Sequence, residues 1–399
     1  MAATIDDYRW LLSPAAQPWI AEASQADTLR GGEMVRLVQR FRKTLSAEQA
    51  HLVVELVELR RRAKEKFSQA ERMFFTRVGL EQATDEQLAT YKAGRFGPGR
   101  RVADLCCGIG GDLVLLARQG PAVGVDSSEA AVLIAERNCQ VNGATSATVV
   151  CGRAEDVALA DFEAWHIDPD RRPSGKRTTQ VELHEPSLDV LQQMLHAHPS
   201  GAIKLAPAAE VPLAWESEAE CEWLGSRGEC RQLVVWHGDL ARDAGRRAAT
   251  IVAADGTARR VVGDAEIDPP LAERLGRYLY EPHAAVLAAR LTGSLCEEHS
   301  LEAIASRVAY LTSDMLIADA ALAGFEVLET LPFDLKRLAA LLAERGIGRL
   351  EVKKRGVDID PLAVQKKLQS KASGSAVILL MPRDKQVFAV VARRSSVDR

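Results

Sequence analysis

The apolar run Val102-Ala103-Asp104-Leu105-Cys106-Cys107 leads into Gly108-Ile109-Gly110-Gly111 and then a helical stretch, Asp112–Arg118. Glycines at a strand-to-helix turn let the backbone bend sharply and let a ligand approach where a Cβ would otherwise stand. Dinucleotide binding calls for G-x-G-x-x-G, whose last glycine would fall at position 113; Leu113 stands there, so a pyrophosphate is disfavoured. No G-K-[S/T] follows, which excludes a Walker loop. Two acids complete a different pattern. Asp104 lies four residues before Gly108, and Asp126 ends the next apolar segment 18 residues after it. A carboxylate at that second strand tip can accept both hydroxyls of a ribose. An acid at Asp104 suits a cationic amino-acid moiety, directly or through water. A ligand with a ribose, an adenine and an aminocarboxypropyl sulfonium fits this set.

The D-x-x-x-G-x-G-G spacing of Asp104, Gly108, Gly110 and Gly111 resembles the first motif of the class I S-adenosylmethionine-dependent methyltransferases. The resemblance implies S-adenosyl-L-methionine as cofactor and S-adenosyl-L-homocysteine as product. It implies a cofactor set of Asp104, Cys106, Gly108, Gly110, Gly111, Asp126 and Ser127. Members often add an acid at the third strand tip for the adenine amino group. Here Arg153 stands near that point, with Glu155 and Asp156 just beyond. Asp156 is the better candidate, and backbone groups around Ala154 are the alternative.

A fourth apolar segment ends in Asp168-Pro169-Asp170-Arg171-Arg172. In a doubly wound sheet, acceptors meet the cofactor beyond the carboxyl ends of the strands. The segment resembles the D/N-P-P-Y tetrapeptide of exocyclic-amine methyltransferases and the D-P-P-R of some RNA methyltransferases. An aromatic residue in the fourth place would stack on a flipped base. Arg171 replaces it, and a guanidinium can stack on a base or hold a phosphate. Asp168 can orient or deprotonate an attacking nitrogen; transfer from a sulfonium is exergonic, so alignment with modest base assistance suffices. Asp168, Pro169, Asp170 and Arg171 form the expected catalytic set, with Arg172 and Lys204 expected on the substrate. A cysteine nucleophile needs a positioned thiolate. Cys221 and Cys230 lie outside the strand tips, and Cys106 and Cys107 are assigned to the first strand and the core, so that mechanism is rejected.

These residues must be carried by alternating strands and helices. Short apolar segments at VADLCC, AVGVD, ATVVC, AWHID and GAIKL are separated by helical stretches at 112–118, 129–142 and 185–196, a pattern of βαβ units and a parallel sheet. CRQLVVWHG and ATIVAA read as an antiparallel pair closing it. Residues 1–94 read as helical. Ser46 with Gln49 forms a capping box, Leu52, Leu56, Leu59, Ala63 and Phe67 recur with helical spacing, and Thr84 with Gln87 marks a second start that runs to about Gly94. Asp268-Pro269-Pro270 breaks the chain before a mixed remainder. The expectation is an α/β protein: a helical N-terminal region (1–94), a Rossmann-like class I methyltransferase core (95–263) and a small α+β C-terminal domain (264–395).

Composition agrees with a soluble enzyme. The 399 residues are 47% hydrophobic and 27% charged, with a net charge of −4. No apolar run approaches the ~20 residues of a membrane span, and the start shows no secretory signal. Seven cysteines without a CxxC, and eight histidines without ligand spacing, exclude a disulfide framework and point to no metal. A cytoplasmic location follows, with a monomer favoured. Two windows, Glu58–Arg77 and Arg349–Lys371, each carry net +4. YLYEPHAAVLAARL, AYLTSD and LEVKKRGVDIDPLAVQKKL resemble the THUMP-like domain of a bacterial family of class I methyltransferases, and RRRAKEKF and LEQAT resemble the helical part preceding its core. THUMP domains deliver structured RNA, so the resemblance implies an RNA partner, tRNA or rRNA, with Lys353, Lys354 and Arg355 on its backbone. The leading expectation is therefore nucleobase methylation. The alternatives are a protein or small-molecule methyltransferase, and a catalytically idle RNA-binding protein of the same fold.

Overall fold

The computed structural model describes residues 3–26, 32–170, 180, 185–306, 308–383 and 386–395. The chain divides into two compact units. One is Met1–Glu220 with Leu233–Gly245 and Ala254–Gly256, the other Cys221–Gln232 with Arg246–Ala253 and Thr257–Arg399.

The first unit opens with six helices: α1 (Ile5–Leu12), α2 (Gln17–Ser24), α3 (Gly32–Phe41), α4 (Ala47–Ala63), α5 (Arg77–Gln82) and α6 (Glu86–Phe96). The capping box is present, with Ser46 Oγ accepting from the Gln49 amide at 3.1 Å and Gln49 Oε1 from the Ser46 amide at 3.4 Å. Leu52, Leu56, Leu59 and Ala63 of α4 are buried, as their spacing predicts. α6 differs from expectation at both ends. Its N-cap is Asp85, whose carboxylate accepts from the Leu88 amide at 3.0 Å, and it runs on to Phe96. The carboxylate takes the capping role and leaves the Thr84 hydroxyl for another partner.

The sheet follows as β1 (Val102–Leu105), α7 (Leu113–Gln119), β2 (Ala122–Asp126), α8 (Glu129–Val141), β3 (Ala147–Cys151), β4 (Ala164–Ile167), α9 (Leu188–Ala197), β5 (Gly201–Leu205), α10 (Leu213–Glu218), β6 (Glu220–Ser226) and β7 (Glu229–Trp236). Strand order in this unit is β3-β2-β1-β4-β5-β7. β1 to β5 are parallel, and Leu233–Trp236 of β7 runs antiparallel to β5. Every residue of β1, β4 and β5 is buried, as expected of parallel strands covered on both faces. Successive strands add on one side of β1 as far as β3 and on the other side from β4 onward. That reversal opens a crevice beyond the carboxyl ends of β1 and β4. α9 begins later than expected because Glu185 bridges to Asp170, Pro186 follows it, and Ser187 takes the N-cap position.

The helical region and the sheet share one core. Leu11, Phe41, Leu56, Leu59 and Phe74 pack in a single cluster with Ile109 of the glycine loop and Ile134 of α8. A fully buried side chain of this kind contributes roughly 1.5–3 kcal/mol relative to exposure. One polar residue fixes the register between them: buried Asn138 accepts from the Phe74 amide at 2.8 Å and donates to the carbonyls of Phe74 (3.0 Å) and Ile109 (2.9 Å).

In the second unit β8 (Arg247–Val252) pairs parallel with β6 and antiparallel with β9 (Ala258–Gly263). The expected pairing of CRQLVVWHG with ATIVAA is thus absent. The first segment belongs to β7 and its Leu233–Trp236 pairs with β5; the second lies in β8. The strand that reads ECEWLGS, β6, has no counterpart among the expected elements, and it is buried throughout, including Glu220 and Glu222. Next come β10 (Tyr278–Pro282), α11 (Ala284–Ala289), α12 (Thr292–His299), β11 (Glu302–Ala303), β12 (Leu311–Ser313), β13 (Leu322–Pro332), α13 (Leu335–Glu344), β14 (Ile347–Lys354), α14 (Pro361–Leu368), β15 (Gly374–Arg383) and β16 (Gln386–Arg394). Seven of these strands form a sheet in the order β11-β12-β10-β13-β16-β15-β14. Along β15, Ile378 and Leu380 pack with α13 and α14 through Leu338, Leu342 and Val364, while Leu379 and Met381 pack with Leu279 and Phe325 on the opposite face.

Asn138→Leu keeps the side-chain size but strands the Phe74 and Ile109 backbone groups. It is expected to destabilise the protein by about 2–4 kcal/mol, measured from the denaturant midpoint; an unchanged midpoint would refute this role.

Candidate active site

β1 ends at Leu105, so Cys106 and Cys107 belong to the loop and not to the strand. The loop is left-handed at three places: Cys106 (φ 56°), Gly108 (φ 55°) and Gly110 (φ 82°). The two glycines have different reasons. A Cβ at Gly110 would sit 3.3 Å from Ala135 of α8, whereas one at Gly108 would meet nothing within 4 Å, and there the positive φ is what favours glycine. Asp126 ties this loop to the next one: its Oδ2 accepts from the Gly108 amide and its Oδ1 from the Ser128 amide, both at 2.9 Å. Each oxygen retains acceptor capacity for a hydroxyl.

Beyond these strand ends lies a cavity of about 580 Å³. Asp104, Cys106, Gly108, Gly111, Asp126, Ser127, Glu155, Asp168, Pro169 and Asp170 all line it. Sequence separation of 66 residues between Asp104 and Asp170 is thereby closed by the strand order. Gly110 packs against Ala135 instead. Asp156 is exposed and lines no part of the cavity; Glu155, from the same 3₁₀ turn, does, and it is paired with Arg153. Arg171 and Arg172 lie outside the described residues. Lys204 is buried on β5 and reaches the site indirectly, its ammonium bound to Asp168 Oδ2 and, at 3.3 Å, to the Gln82 carbonyl.

Other residues of the site carry no signal in the sequence. Tyr8, Thr76, Gln82 and Thr84 bring the helical region into the cavity wall. In the buried part of that wall, His166 Nδ1 lies 2.7 Å from Asp104 Oδ1, and its Nε2 lies 3.3 Å from the ammonium of Lys92. Lys92 is 2.8 Å from Asp112 Oδ1 and 3.4 Å from Thr84 Oγ1; Thr84 donates to Asp112 Oδ2 at 2.8 Å. Burial pushes Lys92 down, and Asp112 opposes the shift. Burial pushes Asp104 up, opposed by the His166 hydrogen bond. For Asp112, burial raises the carboxyl, but Lys92 together with His166 and Lys204 outweighs it and holds the group far below the usual range. His166 stands two residues before Asp168, and that period-two spacing was the one available pointer to it. A lysine in the middle of a helix gives none.

A family described as a methyltransferase domain matches residues 102–168, one described as THUMP domain-like matches 322–394, and a domain of unknown function matches 4–63. An uncharacterized S-adenosylmethionine-dependent methyltransferase of Mycobacterium tuberculosis is 30% identical over 346 residues, covering 84% of this chain and 93% of the relative. The chain belongs to this S-adenosylmethionine-dependent methyltransferase family. The solved structure of a proposed methyltransferase from Porphyromonas gingivalis W83 has the same fold throughout, with a TM-score of 0.79 at 17% identity over 99% of this chain and all of that one. A local match of 40% over 82 residues, 18% of this chain and 19% of the relative, links it to a 23S rRNA (uracil(1939)-C(5))-methyltransferase of Cupriavidus necator.

The methyltransferase thus uses S-adenosylmethionine, on an α/β core with a THUMP-like region near its C-terminus. Its basic windows are less free than their charge implies. Arg60 donates to the Met73 carbonyl at 2.8 Å, lies over the Phe74 ring at 4.9 Å and is pushed down to about 10 by burial. Lys66 donates to the carbonyls of Leu80 and Ala83, and Arg77 pairs with Glu55. In the second unit Lys353 and Arg355 both bind Glu281, while Lys354 is exposed. Glu298, His299 and Asp319 also converge, around the guanidinium of Arg259, which bonds to both acids.

The thiols are poor nucleophiles. Burial, then the carboxylates of Asp126, Asp168 and Asp104, drive Cys106 far above its ordinary range, and Cys107 is likewise driven up by burial. Cys106→Ala is expected to keep methyl transfer within roughly 3-fold of wild type, since a nucleophile would instead lose several orders of magnitude. Steady-state transfer rates decide between them.

Proposed function

We propose that this methyltransferase modifies a nucleobase of tRNA or rRNA. The carrying observation is the position of Asp168-Pro169-Asp170 at the carboxyl end of β4, lining the same cavity as Asp104, Gly108 and Asp126. In this reading Gly108, Gly110 and Gly111 shape the cofactor loop, Asp104 takes the amino-acid end, and Asp126 takes the ribose hydroxyls. Cys106, Ser127 and Glu155 complete the walls, with Glu155 replacing Asp156 near the adenine. Asp168 receives the acceptor nitrogen and its proton, and Lys204 holds that carboxylate in place. Arg171 and Arg172 remain proposed for the acceptor, as does Lys354 for the RNA backbone. The functional parts are 1–94, 95–263 and 264–395, acting in the cytoplasm as a monomer.

The charge of the cavity supports entry of a base alone. Among the described residues seven carboxylates line it, from Asp104, Asp112, Asp126, Glu155, Asp168, Asp170 and Glu185, against one guanidinium, that of Arg153. Phosphates are repelled from such a site, whereas a flipped base offers neutral N–H donors to it. The local likeness to an rRNA methyltransferase and the THUMP-like match support RNA as the source of that base. The same acidity favours a second reading, a cationic amine of a protein or small molecule.

Incubation with methyl-labelled S-adenosylmethionine and extract from cells lacking the gene separates the two. Label lost on ribonuclease treatment supports RNA; label that survives ribonuclease but is lost to protease, or that runs with small molecules, overturns it. Asp126→Ala is expected to weaken S-adenosylhomocysteine binding by at least roughly 10-fold, and normal affinity would sink the ribose assignment. Asp168→Ala is expected to lower kcat by about 10²-fold or more with cofactor affinity within a few-fold, measured by calorimetry beside turnover.

A further inference from the structure

We propose that His166 and Lys92 are positioning residues that keep Asp104 ready for the ammonium group of the cofactor's amino-acid end. The inference rests on the reading that Asp104 faces that end.

A buried ion network whose task is only structural closes on itself, with every polar atom served. This one is closed on one side and open on the other. Asp112 has an opposite charge beside it: its Oδ1 lies 2.8 Å from the Lys92 ammonium as an ion pair outside hydrogen-bond geometry, and its Oδ2 accepts from the Thr84 hydroxyl. Asp104 has only Oδ1 in use; its Oδ2 is buried without a hydrogen-bond partner, and the residue lines the cavity while being 1% exposed.

Hydrogen counting fixes the direction of the chain. The Thr84 hydroxyl hydrogen goes to Asp112, so its oxygen can accept from Lys92. An ammonium carries donors and no acceptor, so at the third Lys92 contact His166 Nε2 must be the acceptor. The ring hydrogen therefore sits on Nδ1 and is donated to Asp104 Oδ1. With the imidazole neutral, the two carboxylates and one ammonium leave one negative charge uncompensated, and the open atom is Asp104 Oδ2. Burial makes that charge costly until a cation arrives. An α-ammonium placed on Oδ2 supplies both the missing charge and the missing donor. Were His166 to carry its hydrogen on Nε2, Nδ1 would present a lone pair to Oδ1 and the carboxylate would lose its only support.

The test is a cycle of ligand against variant. S-Adenosylhomocysteine and its desamino analogue, which lacks only the ammonium, are titrated by calorimetry into wild type, His166→Asn and His166→Phe. Asn places an amide N–H near the Nδ1 position, whereas Phe keeps the ring and removes the donor. We expect wild type to prefer the amino ligand, Phe to lose roughly 10- to 100-fold in affinity for it and little for the desamino analogue, and Asn to stay within about 5-fold of wild type. A merely structural role would weaken both ligands alike. Long-range ¹H–¹⁵N correlation on histidine-labelled wild type needs no variant and should show Nδ1–H for His166; an Nε2–H tautomer overturns the proposal. If wild type binds both ligands equally, the Asp104 assignment fails. If wild type discriminates and His166→Phe discriminates equally well, only the relay fails.

Discussion

The ammonium of Lys92 sits where three parts of the first unit meet. Its helix, α6, belongs to the N-terminal region; its strongest partner, Asp112, stands just before the helix that follows the glycine loop; and its third contact, His166, lies on β4. A charge this deeply buried is tolerable only with an opposite charge and a full set of acceptors around it. Satisfying it therefore holds α6, the glycine loop and β4 in one arrangement. That arrangement aligns Asp104 at the end of β1 with Asp168 at the end of β4. Removing Lys92 or Asp112 would leave its partner an unpaired buried charge beside the cavity.

This interlock explains why the helical N-terminal region is part of the catalytic unit. Its apolar residues share a core with the glycine loop and α8, Asn138 joins the two by three hydrogen bonds, and Gln82 and Thr84 form part of the cavity wall. The arginines and lysines of its basic window are largely engaged in carbonyl, ring and carboxylate contacts within the unit. Positive charge along the sequence was therefore a poor guide to an exposed anion-binding face. Lys353 and Arg355 in the second unit make the same point, since both are held by Glu281.

The electrostatics of the cavity divide the work of recognition. Its carboxylates suit the cationic cofactor and groups rich in N–H donors, and they oppose phosphate. A nucleic-acid acceptor would thus deliver a single base into the cavity while its backbone stayed outside, where other surfaces must hold it. The proposed place of proton transfer is Asp168, whose carboxylate is bound by Lys204. Thiol chemistry has none, because burial, reinforced by the neighbouring carboxylates, drives Cys106 far above its ordinary range.

What the sequence determined alone was local. The glycine pattern with Asp104 and Asp126, the capping box at Ser46 and the alternation of apolar segments with helices follow from short-range backbone needs and periodicity, which neighbouring residues encode. The parallel core and ten of the residues lining the cavity were legible for that reason. Asp156 was misjudged against Glu155 because adjacent side chains on one turn differ only in direction, and direction is set by what the turn packs on. The false pairing of CRQLVVWHG with ATIVAA arose because adjacency in a sheet is a property of strand order and not of chain order. Tertiary structure alone brought Lys92, Thr84, Asp112 and His166 together, from positions spread over 83 residues. Apart from the period-two spacing of His166 and Asp168, no periodicity marks them, since each is chosen by the charge and hydrogen-bond demand of partners that only the folded chain brings near.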